Sequence, residues 1–176
     1  MSGDIMMKEL LVKYEQAQTL CFTGHRPERL PQGAALLRMQ SRLSDAIEAA
    51  IRRGKVNFVS GAMSGFDTLA AEEMLRLKAK YPKIACILVA PFSVRFFNEK
   101  NWTPEWEARL RAVIKKADYY ASLSENAYKG VYFERDRVIV DMSSEVIAFY
   151  DGGAGGTKFT VEYALGQNKP VINIAE

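Results

Sequence analysis

Short apolar runs and longer amphipathic segments alternate along the chain from residue 19 to its end. The apolar runs have the length of buried strands and are bounded by glycine, proline or polar residues. Between them, apolar residues recur at helical spacing, as in Leu43, Ile47 and Ile51. Predicted strands cover residues 19–23, 56–59, 84–89, 119–123, 146–150 and 171–174. Strands that alternate with helices predict an α/β fold of three layers, with a mainly parallel sheet flanked by helices on both faces.

One domain is expected from the length of the chain. Its 176 residues, 48% of them hydrophobic, are enough to bury a proper core. We assign residues 19–176 to this single domain and residues 1–18 to an N-terminal extension. Apolar residues of the extension, among them Leu10 and Tyr14, are expected to form a helix that packs on the domain or on a neighbouring subunit. Pro170 directly precedes the last strand, which predicts an edge position where the missing N–H of proline is tolerated.

Composition narrows the range of partners. Lys and Arg total 24 against 21 acidic residues, and the net charge of +3 is spread along the chain, so a small acidic ligand fits better than nucleic acid. No apolar run approaches the ~20 residues of a membrane helix, and residues 1–18 lack the apolar core of a signal peptide, so we expect a cytoplasmic protein without membrane contact. Cys21 and Cys86 are expected to be buried free thiols. Because His25 is the single histidine, no metal site is expected.

A glycine-rich loop follows the predicted strand 146–150. Residues 151–157 read Asp-Gly-Gly-Ala-Gly-Gly-Thr and lead into an amphipathic helical segment over residues 159–165. Glycine permits positive φ and brings backbone N–H groups close to a ligand, and a helix N-terminus carries a partial positive charge. The loop therefore suits a phosphate, with Gly153, Gly155, Gly156 and Thr157 as candidate contacts. A tight connection between strand and helix is the alternative interpretation.

Polar turns also follow other predicted strands. In a parallel sheet the carboxyl ends of the strands share one edge, and ligands bind there near the point where the strand order reverses. Helices begin at the same edge, so a charged cluster early in the helix after residue 131 is expected there too. Besides the glycine loop, the residues placed at this edge are Gly24, His25, Arg26, Ser60, Gly61, Gly65, Asp67, Arg135 and Asp136. Their convergence predicts a ligand site.

Several candidates have both a functional and a structural interpretation. Arg26 suits either a bidentate phosphate contact or a surface salt bridge. His25 either contacts the ligand or fixes its own loop. Asp67 either caps its helix or accepts a hydrogen bond from a ribose hydroxyl. Trp102 and Trp106 either pack against the body of the domain or stack on a base.

Five short motifs recur in this order in one protein family. They are Thr23-Gly24-His25-Arg26-Pro27, Ser60-Gly61 with Gly65 and Asp67, Pro91-Phe92, Val140-Asp141, and Gly155-Gly156-Thr157 with Val161-Glu162-Tyr163-Ala164. Over residues 19–175 the chain resembles the YpsA-like proteins of the SLOG superfamily, which also contains DprA and the Lonely Guy phosphoribohydrolases. The resemblance implies a Rossmann-like domain that binds or senses a nucleotide or nucleotide-sugar derivative, with no certain cofactor beyond that ligand.

The phosphoribohydrolases, whose pattern is similar, imply a role for an arginine and a glutamate. Arg135 matches the arginine in spacing and is the preferred binding residue, with a solvated charge run as the alternative. The glutamate would stand three residues after the glycine-loop threonine, where this chain has Thr160, and Glu162 lies about 200° further round a helix. Asp136 replaces an asparagine usual in YpsA-like relatives. The missing glutamate counts against hydrolysis of an N-glycoside, which would need Arg135 to hold the phosphate and either Asp67 or Asp136 to serve as the carboxylate.

Three functions stay open at this stage. Binding or sensing of a nucleotide derivative is preferred, and hydrolysis of a nucleotide or nucleotide sugar is the second hypothesis. Binding of single-stranded DNA, as in DprA, is the third, and the net charge of only +3 counts against it. Related domains often dimerise, and the aromatic loop over residues 92–106 is a candidate interface for a homodimer.

Overall fold

The computed structural model describes residues 3–93 and 102–176. Helices in this part of the chain are α1 Gly3–Lys13, α2 Gly33–Arg52, α3 Phe66–Lys78, α4 Pro104–Lys116, α5 Val131–Asp141 and α6 Gly156–Gly166. Strands are β1 Thr19–Gly24, β2 Asn57–Ser60, β3 Ala85–Phe92, β4 Tyr119–Ser124, β5 Glu145–Phe149 and β6 Val171–Asn173. None of the helices within these two ranges is long and apolar enough to cross a membrane. Most of the candidate dimer loop, residues 94–101, lies outside the described residues, and a homodimer stays a prediction.

All six strands form one parallel sheet in the order β4-β3-β2-β1-β5-β6. Cys21 of β1 lies opposite Val59 of β2 on one side and opposite Val146 of β5 on the other. From β1 the chain adds β2, β3 and β4 outward, and then returns to add β5 and β6 on the other side. The strand order therefore reverses between β1 and β5, where a crevice forms at the carboxyl ends. The predicted α/β fold is confirmed, and β6 lies at an edge as expected.

Helices cover both faces of the sheet because alternate residues of a strand point to opposite faces. Leu20 and Phe22 of β1 belong to the core under α2, α3 and α4, where the rings of Phe22 and Phe58 stack with centroids 6.3 Å apart. Cys21, between them, belongs to the core under α1, α5 and α6. Cys21 and Cys86 are buried free thiols, and burial raises the pKa of each to about 12.

Two element boundaries differ by three residues from the sequence prediction, and the ends of the other strands differ by one residue at most. β3 continues through Pro91 to Phe92, whereas the apolar pattern predicts its end at residue 89. Because β2 ends opposite Leu88, the last residues of β3 pair only with β4, and a proline is tolerated on the free side. α6 begins at Gly156, before the amphipathic pattern starts, because Gly155 with φ of +132° turns the chain directly into the helix.

The N-terminal helix α1 lies against α5 and β4. Leu10 is buried there, and the ring of Tyr14 just after the helix meets the ring of Tyr119 edge-on with centroids 6.1 Å apart. Val12 on the other side of α1 is 89% exposed. α1 therefore adds only a few residues to the core that lies under α5 and α6.

Candidate functional site

A cavity of about 350 Å³ lies at the crevice between β1 and β5, within the size range of small-molecule sites. The loops after β1 and β2 and the N-terminal parts of α3, α5 and α6 form its walls. Nine residues that the sequence places at this edge line it: Gly24, His25, Arg26, Asp67, Arg135, Asp136, Gly155, Gly156 and Thr157. The other four, Ser60, Gly61, Gly65 and Gly153, contact residues of this lining from behind.

Arg135 of α5 is buried at one end of the cavity, with 5% of its surface exposed. Its Nη1 donates to the carbonyl oxygen of Gly61, and its Nε donates to Asp136 Oδ1 over 2.9 Å. The Arg135 Nη1 also lies 3.8 Å from Asp67 Oδ2. A buried guanidinium needs such partners because an unpaired charge away from water costs several kcal/mol. Arg135 therefore ties α5 to the turn after β2 and holds two carboxylates beside it.

Asp67 of α3 is the carboxylic acid whose protonation the cavity changes most. Burial raises the pKa of Asp67 to about 6, the Arg135 guanidinium lowers it, and the Asp136 carboxylate raises it further. Because this value is close to neutral pH, Asp67 can give or take a proton there. The N-cap residue of α3 is Gly65, so Asp67 does not cap its helix.

Close approach explains two glycines in the turn after β2. A Cβ atom on Gly61 would lie 2.2 Å from Arg135 Nη1 and 2.6 Å from Asp67 Oδ2. Gly65 has φ of +91°, and its Cβ would lie 2.6 Å from a backbone carbonyl oxygen of the loop after β1. The Ser60 hydroxyl donates to the carbonyl oxygen of Asp67 over 2.8 Å. These residues therefore shape the cavity without lining it.

Arg29, which the sequence did not single out, holds the glycine loop after β5. Its Nη1 donates to the carbonyl oxygen of Ala154 over 3.0 Å, and its Nη2 pairs with the Asp151 carboxylate. The same carboxylate accepts a hydrogen bond from the Gly153 N–H over 2.9 Å. A Cβ on Gly153 would lie 2.1 Å from Arg29 Nη2. No local pattern marks this contact, because Arg29 and Asp151 are 122 positions apart in the sequence.

His25 fixes the glycine loop at both of its ends. The imidazole is buried, its Nε2 accepts the Asp151 N–H over 3.2 Å, and its Nδ1 lies 3.4 Å from the Thr157 hydroxyl. Burial and then the charge of Arg29 lower the pKa of His25, although the Asp151 carboxylate partly offsets them. The imidazole is therefore neutral at pH 7. It holds a loop in place, which is the structural one of the two interpretations given from the sequence.

The mouth of the cavity combines a guanidinium with aromatic rings. Arg26 Nη1 donates to the Ser64 hydroxyl over 3.2 Å, and the Arg26 guanidinium lies 5.9 Å from the centre of the Tyr132 ring. Phe133 also lines the cavity and is 45% exposed. Phe133 is not among the site residues predicted from the sequence, although it stands beside the charged cluster of α5. Planar apolar groups next to a few polar groups are typical of ligand sites.

Other positions considered from the sequence lie away from the cavity. Thr160 is buried, and its hydroxyl donates to the Gly156 carbonyl oxygen over 3.0 Å. Glu162 is exposed and pairs with Lys158. Trp102 and Trp106 pack against the core beside α4. Across residues 3–93 and 102–176, no group of three His, Cys, Asp or Glu side chains could hold a metal ion.

The chain has relatives in sequence. The YpsA family model, described as the YspA SLOG family, matches residues 20–171. The chain is 25% identical over 155 residues to the UPF0398 protein YpsA of Bacillus subtilis, which covers 85% of this chain and 83% of that protein. It is 27% identical over 142 residues to the uncharacterized SPbeta prophage-derived protein YoqJ of the same organism, covering 73% and 81%.

Two solved structures share the fold. DNA processing protein A of Helicobacter pylori, described for its single-stranded DNA binding mode, has a TM-score of 0.61 at 23% identity over 93% of this chain and 66% of that one. DprA of Streptococcus pneumoniae has a TM-score of 0.64 at 20% identity over 92% and 50%. This chain spans less than two thirds of each, and such a likeness shows the fold alone. Because the family model matches almost the full length, the chain belongs to the YpsA SLOG family.

Proposed function

We propose that the chain binds a nucleotide or a nucleotide-derived ligand, such as a nucleotide sugar, in the cavity between β1 and β5. One observation carries this proposal: the N-terminus of α6 faces the same cavity as the guanidinium groups of Arg26 and Arg135. Backbone N–H groups at a helix start and planar guanidinium groups are both typical phosphate ligands. The phosphate would therefore lie against Gly155, Gly156 and Thr157.

Other groups in the lining suit the rest of a nucleotide. Asp67 and Asp136 offer acceptor oxygens for ribose hydroxyls. Tyr132 and Phe133 offer planar surfaces for a base at the mouth. Because the pKa of Asp67 is about 6, this group can take up a proton when a phosphate brings negative charge nearby. Phosphate binding is therefore expected to be tighter at about pH 6 than at about pH 8.

A thermal-shift screen tests the proposal directly. Purified protein is heated with nucleoside mono- and diphosphates, nucleotide sugars, ADP-ribose and NAD, because a ligand of the folded state raises its melting temperature. We expect a shift with at least one phosphorylated ligand and none with the matching free nucleoside. The Arg26→Gln variant should bind that ligand roughly tenfold more weakly, which is the expected effect of losing one charge-assisted hydrogen bond.

Arg111→Gln is the matched control, because Arg111 is an exposed arginine of α4 that pairs with Glu107. It should bind as the wild type does. No shift across the whole panel would contradict the proposal, and so would equal affinities of the Arg26→Gln variant and the wild type.

Hydrolysis of an N-glycosidic bond is the second candidate function. The observation that favours it is the raised pKa of Asp67 beside Asp136 and Arg135. Such cleavage needs a carboxylate to stabilise the ribosyl cation or to activate water, and an arginine can hold the phosphate. We expect chromatography to detect free base released from a nucleoside 5′-monophosphate, and Asp67→Asn to abolish the release. Binding without any free base would leave a binding or sensing domain.

Single-stranded DNA is the third candidate ligand, and it is less favoured. The Helicobacter pylori protein of the same fold is described by its single-stranded DNA binding mode. A DNA-binding groove predicts affinity that falls steeply with salt, because bound counterions are released. Fluorescence anisotropy of a labelled oligothymidylate at several salt concentrations measures this. The small net charge of +3 counts against an extended DNA groove, so we expect the affinity to change little with salt.

A further inference from the structure

Three aromatic rings form a row beside the cavity, across α5 and α6. Phe133 meets Phe159 edge-on with ring centroids 4.7 Å apart, and Phe159 stacks on Tyr163 at 6.0 Å with an angle of 9° between the ring planes. We call Phe133, Phe159 and Tyr163 the aromatic row. Phe133 is 45% exposed, and the other two rings are half-buried. The row therefore offers planar surface to solvent.

A cation lies over the aromatic row. The Arg137 guanidinium lies 5.4 Å from the centre of the Phe159 ring and 6.0 Å from that of Tyr163. Arg137 is exposed, and no carboxylate of the described ranges lies within ion-pairing distance of it. The row thus combines ring faces with a positive charge that an incoming anion can meet.

The aromatic row continues the cavity rather than standing apart from it. Phe133 belongs to both, since it lines the cavity and starts the row. Arg137 follows Phe133 by one helical turn of α5, which places it about 6 Å further along the helix axis. A ligand whose first phosphate lies at the N-terminus of α6 could therefore pass Phe133 and reach the row without leaving the surface.

We propose that the aromatic row is the binding site for a second nucleobase, so that the preferred ligand is a dinucleotide. This inference rests on the proposed function, because the first nucleotide must lie in the cavity. The second base takes the place of the Arg137 guanidinium over the Phe159 ring, which Phe133 meets edge-on, and Arg137 turns to meet the phosphate that joins the two nucleosides. A dinucleotide has a second base for the aromatic row and a second phosphate for Arg137, whereas a mononucleotide in the cavity has neither.

The test compares three synthetic ligands by isothermal titration. They are a deoxyadenosine 5′-monophosphate, a 5′-phosphorylated deoxyadenylate dinucleotide, and the same dinucleotide with an abasic second sugar. We expect the complete dinucleotide to bind about tenfold more tightly than the abasic one, which is the usual effect of one stacked base. The abasic ligand should in turn bind more tightly than the monophosphate, because Arg137 meets its second phosphate. The abasic ligand carries the same charge, so it separates stacking from electrostatic attraction.

Two variants locate the extra affinity. Phe159→Leu should remove most of the advantage of the complete dinucleotide over the abasic one, and Arg137→Gln should remove most of the advantage of the abasic ligand over the mononucleotide. Neither variant should change the affinity for the mononucleotide, because neither residue lines the cavity. Lys158→Gln is the control, since Lys158 is a neighbouring surface cation that pairs with Glu162. This control should keep the full advantage.

The outcomes separate this inference from the proposed function. Mononucleotide binding with no advantage for the dinucleotide overturns the second base site and leaves the proposed function standing. Equal affinities of the complete and the abasic dinucleotide also overturn it, and so does an advantage over the mononucleotide that survives in both variants. Absence of binding by all three ligands at millimolar concentration overturns both proposals.

Discussion

The turn after β2 and the loop after β5 flank β1 on opposite sides, and each holds an arginine against a glycine and pairs it with an aspartate. After β2, Arg135 and Asp67 are buried, with 5% and 8% of their surface exposed. After β5, the side chains of Arg29 and Asp151 are 35% and 45% exposed. The same residue types thus meet in two environments. Their comparison separates the effect of a charged neighbour from the effect of burial.

The two aspartates respond in opposite directions. Burial raises the pKa of Asp67 to about 6 in spite of the nearby Arg135. The hydrogen bond from Arg29, followed by that from the Gly153 N–H, holds the pKa of Asp151 well below its ordinary range. A guanidinium neighbour therefore does not fix the protonation of a carboxylate by itself, because loss of water outweighs it at the buried site.

Removal of the arginine from each region should give the largest difference in stability between the two regions. Arg135→Ala leaves Asp67 and Asp136 buried without their cation, so we expect the free energy of unfolding to fall by about 3 kcal/mol. Arg29→Ala breaks a pair that water already screens, and the loss should be a small fraction of that. Urea denaturation of both variants at pH 7 measures the difference. Equal losses would show that burial does not distinguish the two sites.

Alanine at the two glycines tests how firmly each arginine is held. In Gly61→Ala the new Cβ must displace the buried Arg135, so we expect a loss of about 2 kcal/mol in unfolding free energy. In Gly153→Ala the new Cβ also meets an arginine, but Arg29 can move toward solvent. Its stability should stay close to wild type in the same denaturation experiment. A larger loss of unfolding free energy in Gly153→Ala than in Gly61→Ala would contradict our inference that Arg135 is held more firmly than Arg29.

The pH dependence of stability distinguishes the two carboxylates. Because the pKa of Asp67 is raised in the folded state, its contribution is fully present below the ordinary value and is lost as the pH rises through about 6. Between about pH 5 and pH 7, wild type should lose roughly 1 kcal/mol relative to Asp67→Asn. Parallel urea titrations measure this change. A constant difference between the two proteins would mean that Asp67 ionises as an exposed aspartate does.

Asp151→Asn should have the smallest effect and the opposite sign. Because the pKa of Asp151 is lowered in the folded state, its contribution is present above the ordinary value and is lost as the pH falls through the lower one. The melting temperatures of the variant and wild type should therefore differ by a constant amount above about pH 5 and converge in more acidic solution. Added salt should shrink the difference. A difference that grows from about pH 5 to pH 7 would contradict this interpretation.

Local patterns of apolar and polar residues predicted the helices and strands, because each of these elements depends mainly on its own residues. The apolar run before the glycine loop is β5, and Leu43 and Ile47 are buried in α2. The rule that strand ends share one edge also placed Arg26 and Thr157 in one region, although they belong to distant parts of the chain. The periodicity of apolar residues and the rules for parallel sheets thus predict most of the architecture.

Contacts between distant residues could not be predicted in this way. Arg29 stands in a short turn after β1, and only the folded chain brings it to Asp151. The length of β3 depends on where its neighbour β2 ends. Gly61 is a glycine because Arg135 approaches it, which no feature of the turn itself reveals.

The pairing of β1 with β5 has a consequence for the order of folding. β1 is synthesised before β5, yet Leu20 of β1 finds its partner Glu145 only when that later strand has been made. Until then β1 is an open edge, and the cavity lacks the wall that the N-terminus of α6 provides. A nascent chain that has assembled β1 to β4 therefore lacks the proposed ligand site. Binding of the proposed ligand would therefore stabilise only a chain in which β5 and α6 have joined the sheet.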